Sequence, residues 1–491
     1  TIRLQSDATM VDEVVVTGMV KQDKRLFTGS AAKIDADKAK LSGVADVSRS
    51  LEGRAAGVQV TNVSGTFGAA PKIRVRGATS IYGNQKPLWV VDNVVLEDNV
   101  DVSADELASG DAKTLISSAV AGLNSDDIES FTILKDGSAT SIYGARGMAG
   151  VIVITTKRGA KGRASVNYTG EFTTRLKPSY RDYNIMNSQE MMGVYKEMSD
   201  KGWLQIENLA NAQNSGLYGY MFQQLRKYDA TSGKFGLTNT EAARNAYLQE
   251  AEFRNTDWFD KLFSNSISQN HSVSISAGSE RSRSYFSLSM MNDPGLYANQ
   301  RDKVTRYTMN GNTSYDVLKN LTVTLAAQGS YRDQKAPGSL NRTTDVVTGE
   351  VKRDFDINPF SYALNTSRCL DPNTKYTRFY TGFNIFDELE NNYFDINVQD
   401  LMFRAEMEYK PIQSEKQSLT FLGLIATRIS STKQVRNVKD NSNQANAYRA
   451  GVDATDDNST IRDSNSLLYT DPDNEQALPE SILPLGGIKE E

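Results

Sequence analysis

The 491-residue chain contains one cysteine, Cys369, and one histidine, His271. A disulfide framework, an iron–sulfur site, a Cys/His zinc site and any two-histidine metal centre made within this chain are therefore excluded. No apolar run approaches the ~18 residues of a membrane-spanning helix, and the mean hydropathy is −0.48. A membrane protein with this sequence has to be a β-barrel. Charge of one sign is lacking too: 55 Lys and Arg against 60 Asp and Glu leave a net −5, which gives a nucleic-acid partner no footing. The chain opens on Thr1 without a charged-then-apolar leader, so an export signal is expected upstream or already removed.

The length suits about three domains, or one large barrel with a smaller companion. Residues 1–159 alternate short β-branched runs with Gly-containing turns and read as a compact α+β unit. Strands are predicted at Val58–Thr61, Ile73–Arg76, Leu88–Val91, Ile128–Leu134 and Val151–Thr156, and the spacing of Val44, Val47 and Leu51 predicts a short helix. A stretch rich in Met, Gln, Asn, Tyr and Lys follows, about 177–265, with helices at Gln189–Asp200 and Glu241–Glu252; it reads as one very long connection.

From about Gln269 the pattern changes to period-2 alternation over segments of about ten residues, the span of a tilted strand crossing a bilayer. Tyr307, Met309, Gly311, Thr313, Tyr315 and Val317 alternate with Arg306, Thr308, Asn310, Asn312, Ser314 and Asp316. Leu321–Arg332 and Leu401–Tyr409 repeat this. With Ala164–Thr174, Ser272–Gly278, Ser284–Met291 and Ser418–Ser430 they make seven strands joined by alternating long and short links, the asymmetry of an outer-membrane barrel. A soluble β-sandwich has the same alternation, with the apolar face inward. Tyr and Phe near strand ends favour the barrel. About seven strands cannot close one, since single-chain bacterial barrels have an even number of at least eight, so the sequence is expected to be part of something longer.

The motifs narrow the reading. Asp12-Glu13-Val14-Val15-Val16-Thr17-Gly18 is an acidic then β-branched segment that could add to the edge of a partner's sheet. Leu51-Glu52-Gly53-Arg54-Ala55-Ala56-Gly57-Val58-Gln59-Val60, then Ile73-Arg74-Val75-Arg76-Gly77-Ala78-Thr79-Ser80-Ile81 and Pro87-Leu88-Trp89-Val90-Val91-Asp92, resemble in order the plug domain of TonB-dependent outer-membrane transporters. Asp126–Ser130, Leu134–Thr140, Tyr143-Gly144-Ala145-Arg146-Gly147 and Gly150–Gly159 look like the SusC/RagA branch. Asn93 departs from the branch, which usually has Gly after the Asp. A phosphate-cradling loop is rejected at Gly144–Gly147, because no Gly-Lys-Ser/Thr follows. Asp126, Asp127, Asp257 and Asp260 suit turns or helix caps better than the paired carboxylates of glycoside hydrolysis.

The resemblance implies a membrane β-barrel of 22 antiparallel strands with an N-terminal α+β plug in its lumen, in the outer membrane of a Bacteroidota-type bacterium. It divides the chain into the tail of a carboxypeptidase-regulatory-like sandwich (1–10), the TonB box and linker (11–25), the plug (26–160) and the first part of the barrel (161–491), with long extracellular loops at 177–265, 333–396 and 431–491. It implies TonB-dependent import of an oligosaccharide or oligopeptide, in lipid, with a SusD-like surface lipoprotein as lid and ExbB/ExbD supplying energy to TonB. Asp12 to Gly18 take the place of the TonB box. Arg74, Arg76, Asp92, Asp136 and Arg146, charges embedded in the plug motifs, are candidates for breakable ion pairs that gate plug movement. No catalytic residue, metal or cofactor is expected. The alternative reading is a surface glycan or peptide receptor that signals without transport.

Overall fold

The computed structural model describes residues 14–16, 21–23, 29–41, 43–44, 46–62, 68–75, 86–96, 115–116, 118–204, 216–299, 301–338, 342–344, 351–353, 358–378, 381–413, 417–442, 445, 468–469, 480–481 and 488–490. Near the N-terminus β1 (Val14–Val16) and β2 (Lys21–Asp23) form an antiparallel hairpin. Asp12, Glu13, Thr17 and Gly18, and the expected sandwich tail, lie outside the described residues.

The α+β unit is built on β3 (Ala31–Asp35), β4 (Val58–Thr61), β5 (Lys72–Val75), β6 (Leu88–Val91), β7 (Val94–Leu96), β8 (Ile128–Leu134) and β9 (Val151–Thr156). Five of these form one sheet in the order β3-β8-β9-β6-β7, with β6 and β9 parallel and the other pairs antiparallel; β4 and β5 pair separately. The β-branched run of β9 is a buried central strand, and Val91, Ile133, Ile152 and Ile154 join Leu51 in the core. The helix expected around Val47 is a 3₁₀ turn, Val47–Leu51, whose first turn is capped by the Asp46 carboxylate accepting from Ser48 N at 2.9 Å. Between β6 and β7 the two-residue turn Asp92-Asn93 has φ of +44° and +73°. This hairpin needs the left-handed region at both positions, which Asn and Asp tolerate best after Gly; Asn93 in place of Gly is thereby explained.

The period-2 segments form a second, larger sheet. Its strands are β10 (Gly162–Arg175), β11 (Ser266–Gly278), β12 (Ser282–Asp293), β13 (Val304–Leu318), β14 (Leu321–Pro337), β15 (Asn392–Gln413), β16 (Ser418–Val438) and the three-residue β17 (Ile488–Glu490). They pair antiparallel with sequence neighbours throughout. β17 is an eighth strand that alternation could not reveal, being too short to carry a period. β14, β15 and β16 also outrun their alternating segments, to Pro337, back to Asn392 and on to Val438, because backbone pairing continues past the apolar band.

Burial in this sheet is inside out. On β13 the apolar set is exposed, with Tyr307, Met309, Tyr315 and Val317 all more than two-fifths open, while Arg306, Thr308, Asn310, Asn312 and Ser314 are buried. Leu288, Leu325, Phe403, Ile425 and Ile429 extend the exposed apolar face across five strands. A β-sandwich would bury that face, so the alternation belongs to a barrel wall with its apolar side toward lipid and its polar side against the α+β unit. Tyr409 and Phe421 stack at 6.4 Å near the short-link end, with Tyr315 on the same side, where an interfacial aromatic belt is needed. No described helix is long and apolar enough to cross a membrane.

The long links fold into a cap. Its helices are α1 (Ser188–Asp200), α2 (Gly216–Arg226), α3 (Glu241–Arg254), α4 (Trp258–Leu262), α5 (Pro359–Asn365) and α6 (Ile385–Asn391). α1 starts with a capping box between Asn187 and Glu190, α3 stops at Asn255 in the left-handed region, and Asp257 caps α4 by accepting from Asp260 N at 2.9 Å. Met192, Leu217, Trp258, Phe259, Cys369 and Ile385 share one apolar core. Hydrogen bonds to backbone carbonyls knit the links together: Thr256 N donates to Arg368 O at 2.9 Å and the indole Trp258 Nε1 to Ser367 O at 3.2 Å. The link 294–303 docks on both neighbours, through Ser264 N to Leu296 O at 2.9 Å and Asn299 Nδ2 to Leu389 O at 3.0 Å.

Candidate functional site at the plug and wall interface

The inner face of the wall meets the α+β unit along a seam of charged and hydrogen-bonded groups, beside one apolar patch where Leu115 and Ile116 pack with Ala336, Phe394 and Ile396. Three arginines on consecutive strands reach inward from β13, β14 and β15: Arg306, Arg332 and Arg404, exposed by only 4%, 5% and 3%. Each donates to a backbone carbonyl of the inner unit. Arg306 Nη1 reaches Ala121 O at 2.9 Å, Arg332 Nη2 reaches Leu115 O at 2.6 Å, and Arg404 Nη1 reaches Asp92 O. Arg404 Nη2 also stands 3.6 Å from the Asp92 carboxylate.

Asp92 is held from both sides. Its carboxylate accepts from Thr156 N at 3.0 Å and from Thr156 Oγ1 at 2.5 Å, which ties the end of β6 to the end of β9. Next to it, Asn93 Nδ2 donates to Glu406 of the wall at 3.4 Å. One residue thus sets a hairpin turn, bridges two parallel strands and faces the wall's most enclosed guanidinium.

A second group of contacts grips the residues just before the Val47–Leu51 turn. Lys40 Nζ lies 2.6 Å from Asp126 and 3.1 Å from Glu171 of β10, while Gly43 N donates to Glu171 at 3.0 Å and Arg175 Nη2 to Gly43 O at 2.9 Å. Burial alone would lower the Lys40 ammonium, but its two carboxylate neighbours outweigh it and raise the group. Burial pushes Asp127 up, even though Tyr285 OH donates to it at 2.9 Å. Asn124 Nδ2 adds a bond to Ser272 at 3.2 Å.

Among the sequence-derived gating candidates, Asp92 stands at the seam. Arg74 is half-buried on β5, Arg146 is exposed, and Arg76 lies outside the described residues. Asp136 accepts from Ala139 N at 2.7 Å and Ser30 N at 2.5 Å, capping the turn Gly137–Thr140 and joining it to the start of β3. Asp92 thus contacts the wall, whereas these contacts of Asp136 lie within the plug. Alternation treats every polar residue alike and so does not single out the wall arginines; for Arg306 the available signal was a lone guanidinium in a run of Thr, Asn and Ser. Among the described residues no three potential metal-ligating side chains cluster.

In the link 294–303, burial pushes the Asp302 carboxyl up to about 6, against the amides of Leu296 and Tyr297 that it accepts at 2.7 and 3.2 Å. A carboxyl raised on folding stabilises the fold below its unfolded value near 3.8, and this contribution is lost as pH rises through about 6. Local opening of this link is therefore expected to be about tenfold less frequent at pH 5 than at pH 7. Amide hydrogen exchange at Leu296 and Tyr297, corrected for intrinsic rates, checks this; Asp302→Asn removes the dependence.

Residues 23–151 match the family model described as the TonB-dependent Receptor Plug Domain. The chain is 32% identical over 334 residues to the TonB-dependent receptor P26 of Formosa agariphila, covering 68% of this chain and 28% of that one. It is 27% identical over 417 residues to the TonB-dependent receptor SusC of Bacteroides thetaiotaomicron, covering 83% and 36%. In fold it is similar to the RagAB peptide importer in its open-open state, with a TM-score of 0.60, 21% identity and coverage of 87% of this chain and 44% of that one. The chain spans about a third of the length of the curated relatives it matches.

Proposed function

Because the chain is the plug and first barrel strands of a SusC/RagA-like TonB-dependent receptor of the outer membrane, we propose that it belongs to an active importer of oligomeric nutrients. Substrate, an oligosaccharide or oligopeptide, is taken at the cell surface under a SusD-like lipoprotein lid. TonB, energised through ExbB and ExbD, then grips Asp12, Glu13, Val14, Val15, Val16, Thr17 and Gly18 by strand addition and pulls the plug from its seat. In this reading 1–10 is the sandwich tail, 11–25 the box and linker, 26–160 the plug and 161–491 the opening part of the barrel.

The observation that supports the reading most is the seam itself. A plug that must leave its barrel is better held by hydrogen bonds and ion pairs, which water can replace, than by an apolar core. Asp92 with Arg404, and Lys40 with Asp126 and Glu171, are ties of this kind. Arg74, Arg76, Asp136 and Arg146 are the further candidates for breakable ion pairs that gate plug movement. β1 already pairs with β2 on one edge, so TonB adds to the other.

Deleting residues 12–16 from the full-length protein tests this. Cells carrying the deletion are expected to bind fluorescently labelled oligosaccharide or oligopeptide pools at the surface as before, and to lose their uptake. Undiminished uptake would overturn TonB dependence.

A further inference from the structure

Most arginines on the inner face of the wall meet a carboxylate of the same face. Arg175 pairs with Asp293 at 2.6 Å, Arg283 with Asp316 at 3.0 Å, and Arg428 grips Asp400 through bonds of 2.9 and 3.0 Å. Arg306 and Arg332 reach the plug. They stand directly opposite each other across β13 and β14, a like-charge cross-strand pair of the kind that destabilises a sheet. The compensating groups come from the plug: the carbonyls of Ala121 and Leu115, and the buried Asp46 carboxylate, whose charge acts on both guanidinium groups. Asp46 and Arg306 also line one small cavity of about 20 Å³ between plug and wall.

Resting on the reading that the plug leaves its seat during import, we infer that Arg306 and Arg332 form a paired cationic station in the passage. The resting plug covers it; withdrawal of Leu115, Ala121 and Asp46 uncovers it, and it then binds the carboxylate, sulfate or phosphate groups of an acidic oligomer. Two forked guanidiniums on neighbouring strands suit planar or tetrahedral oxyanions, which they hold through paired hydrogen bonds. In the closed state the carbonyls of Ala121 and Leu115 occupy the places of those oxygens. The station would make the passage selective for anionic cargo.

Ser330 offers a probe, since it lies on the same inner face two residues from Arg332, and with Gly122 of the plug it lines a cavity at the seam. In cells expressing the full-length protein with Ser330→Cys, labelling is measured with an anionic sulfonatoethyl and a cationic trimethylammonium methanethiosulfonate, each normalised to its rate with a free thiol. Labelling is expected to require residues 12–16, and the anionic reagent to react about tenfold faster, as two unit charges at this range dictate. Arg306→Gln with Arg332→Gln should bring the ratio to about one, and Arg306→Lys with Arg332→Lys should preserve it. Equal rates with the arginines intact would overturn the anion station alone. Labelling that is absent, or indifferent to residues 12–16, would overturn the uncovering and with it the import reading. The ratio with both arginines present decides the matter even where the Gln pair fails to assemble.

Discussion

Replacing Arg404 by leucine is expected to loosen the plug from the wall by about 3 kcal/mol or more, the range seen when one partner of a buried ion pair is removed. Arg404 and Asp92 are both almost fully enclosed, and no solvent can take over the lost partner while the plug stays seated. The carboxylate would keep its two bonds from Thr156, so the β6 and β9 ends stay joined and the damage falls on the seam. Asp92→Asn should cost less, because asparagine suits the left-handed turn and can still accept from Thr156. Combining the two should recover part of the loss, since the double variant leaves no unpaired charge at position 92. Hydrogen exchange of the seam-facing amides of Ala121 and Leu123 in the full-length protein measures all three; equal protection in wild type and Arg404→Leu would sink the idea.

Trp258→Ala is the second large effect, expected to cost the cap about 3–5 kcal/mol by opening a cavity where a fully buried indole stood. Trp258 fills the centre of the cap, crosses Tyr362 edge-on at 5.3 Å, and bonds to Ser367 through its indole nitrogen. Its loss should separate the links 176–265 and 338–391. Limited proteolysis in intact membranes is expected to cut both links many-fold faster while the wall strands stay resistant. If cleavage is unchanged, the two links are held together by something other than this core.

Alternation shows which residues share a face but never which face is inside. Leu288 and Arg306 obey one rule in a sandwich and the reverse rule here, and only burial against the plug tells the two apart. The plug strands were legible because short β-branched runs between glycines leave little choice, and the helices at 188–200 and 241–254 because cap and period agree. β17 was not legible, having three residues. The seam was legible in part: Asp92 stands in a recognisable motif, whereas its partner Arg404 is 312 residues away, a separation that no local pattern spans. Asp136 shows the opposite limit, since a motif charge can as readily serve a helix cap as an interface.

The wall is a run of neighbouring antiparallel strands, so each hairpin can zip onto the last with little chain to close. The ties of Arg306, Arg332 and Arg404 to the plug span 185, 217 and 312 residues, and closing such loops is slow. The plug, which comes first along the chain, is therefore expected to dock last. A wall that sealed early would shut three guanidiniums into an empty lumen and leave the plug stranded outside, with no edge left by which to enter. Biogenesis must therefore hold the growing wall open at a seam until the plug is seated, and the order of folding, more than its final stability, decides whether a closed barrel is also a filled one.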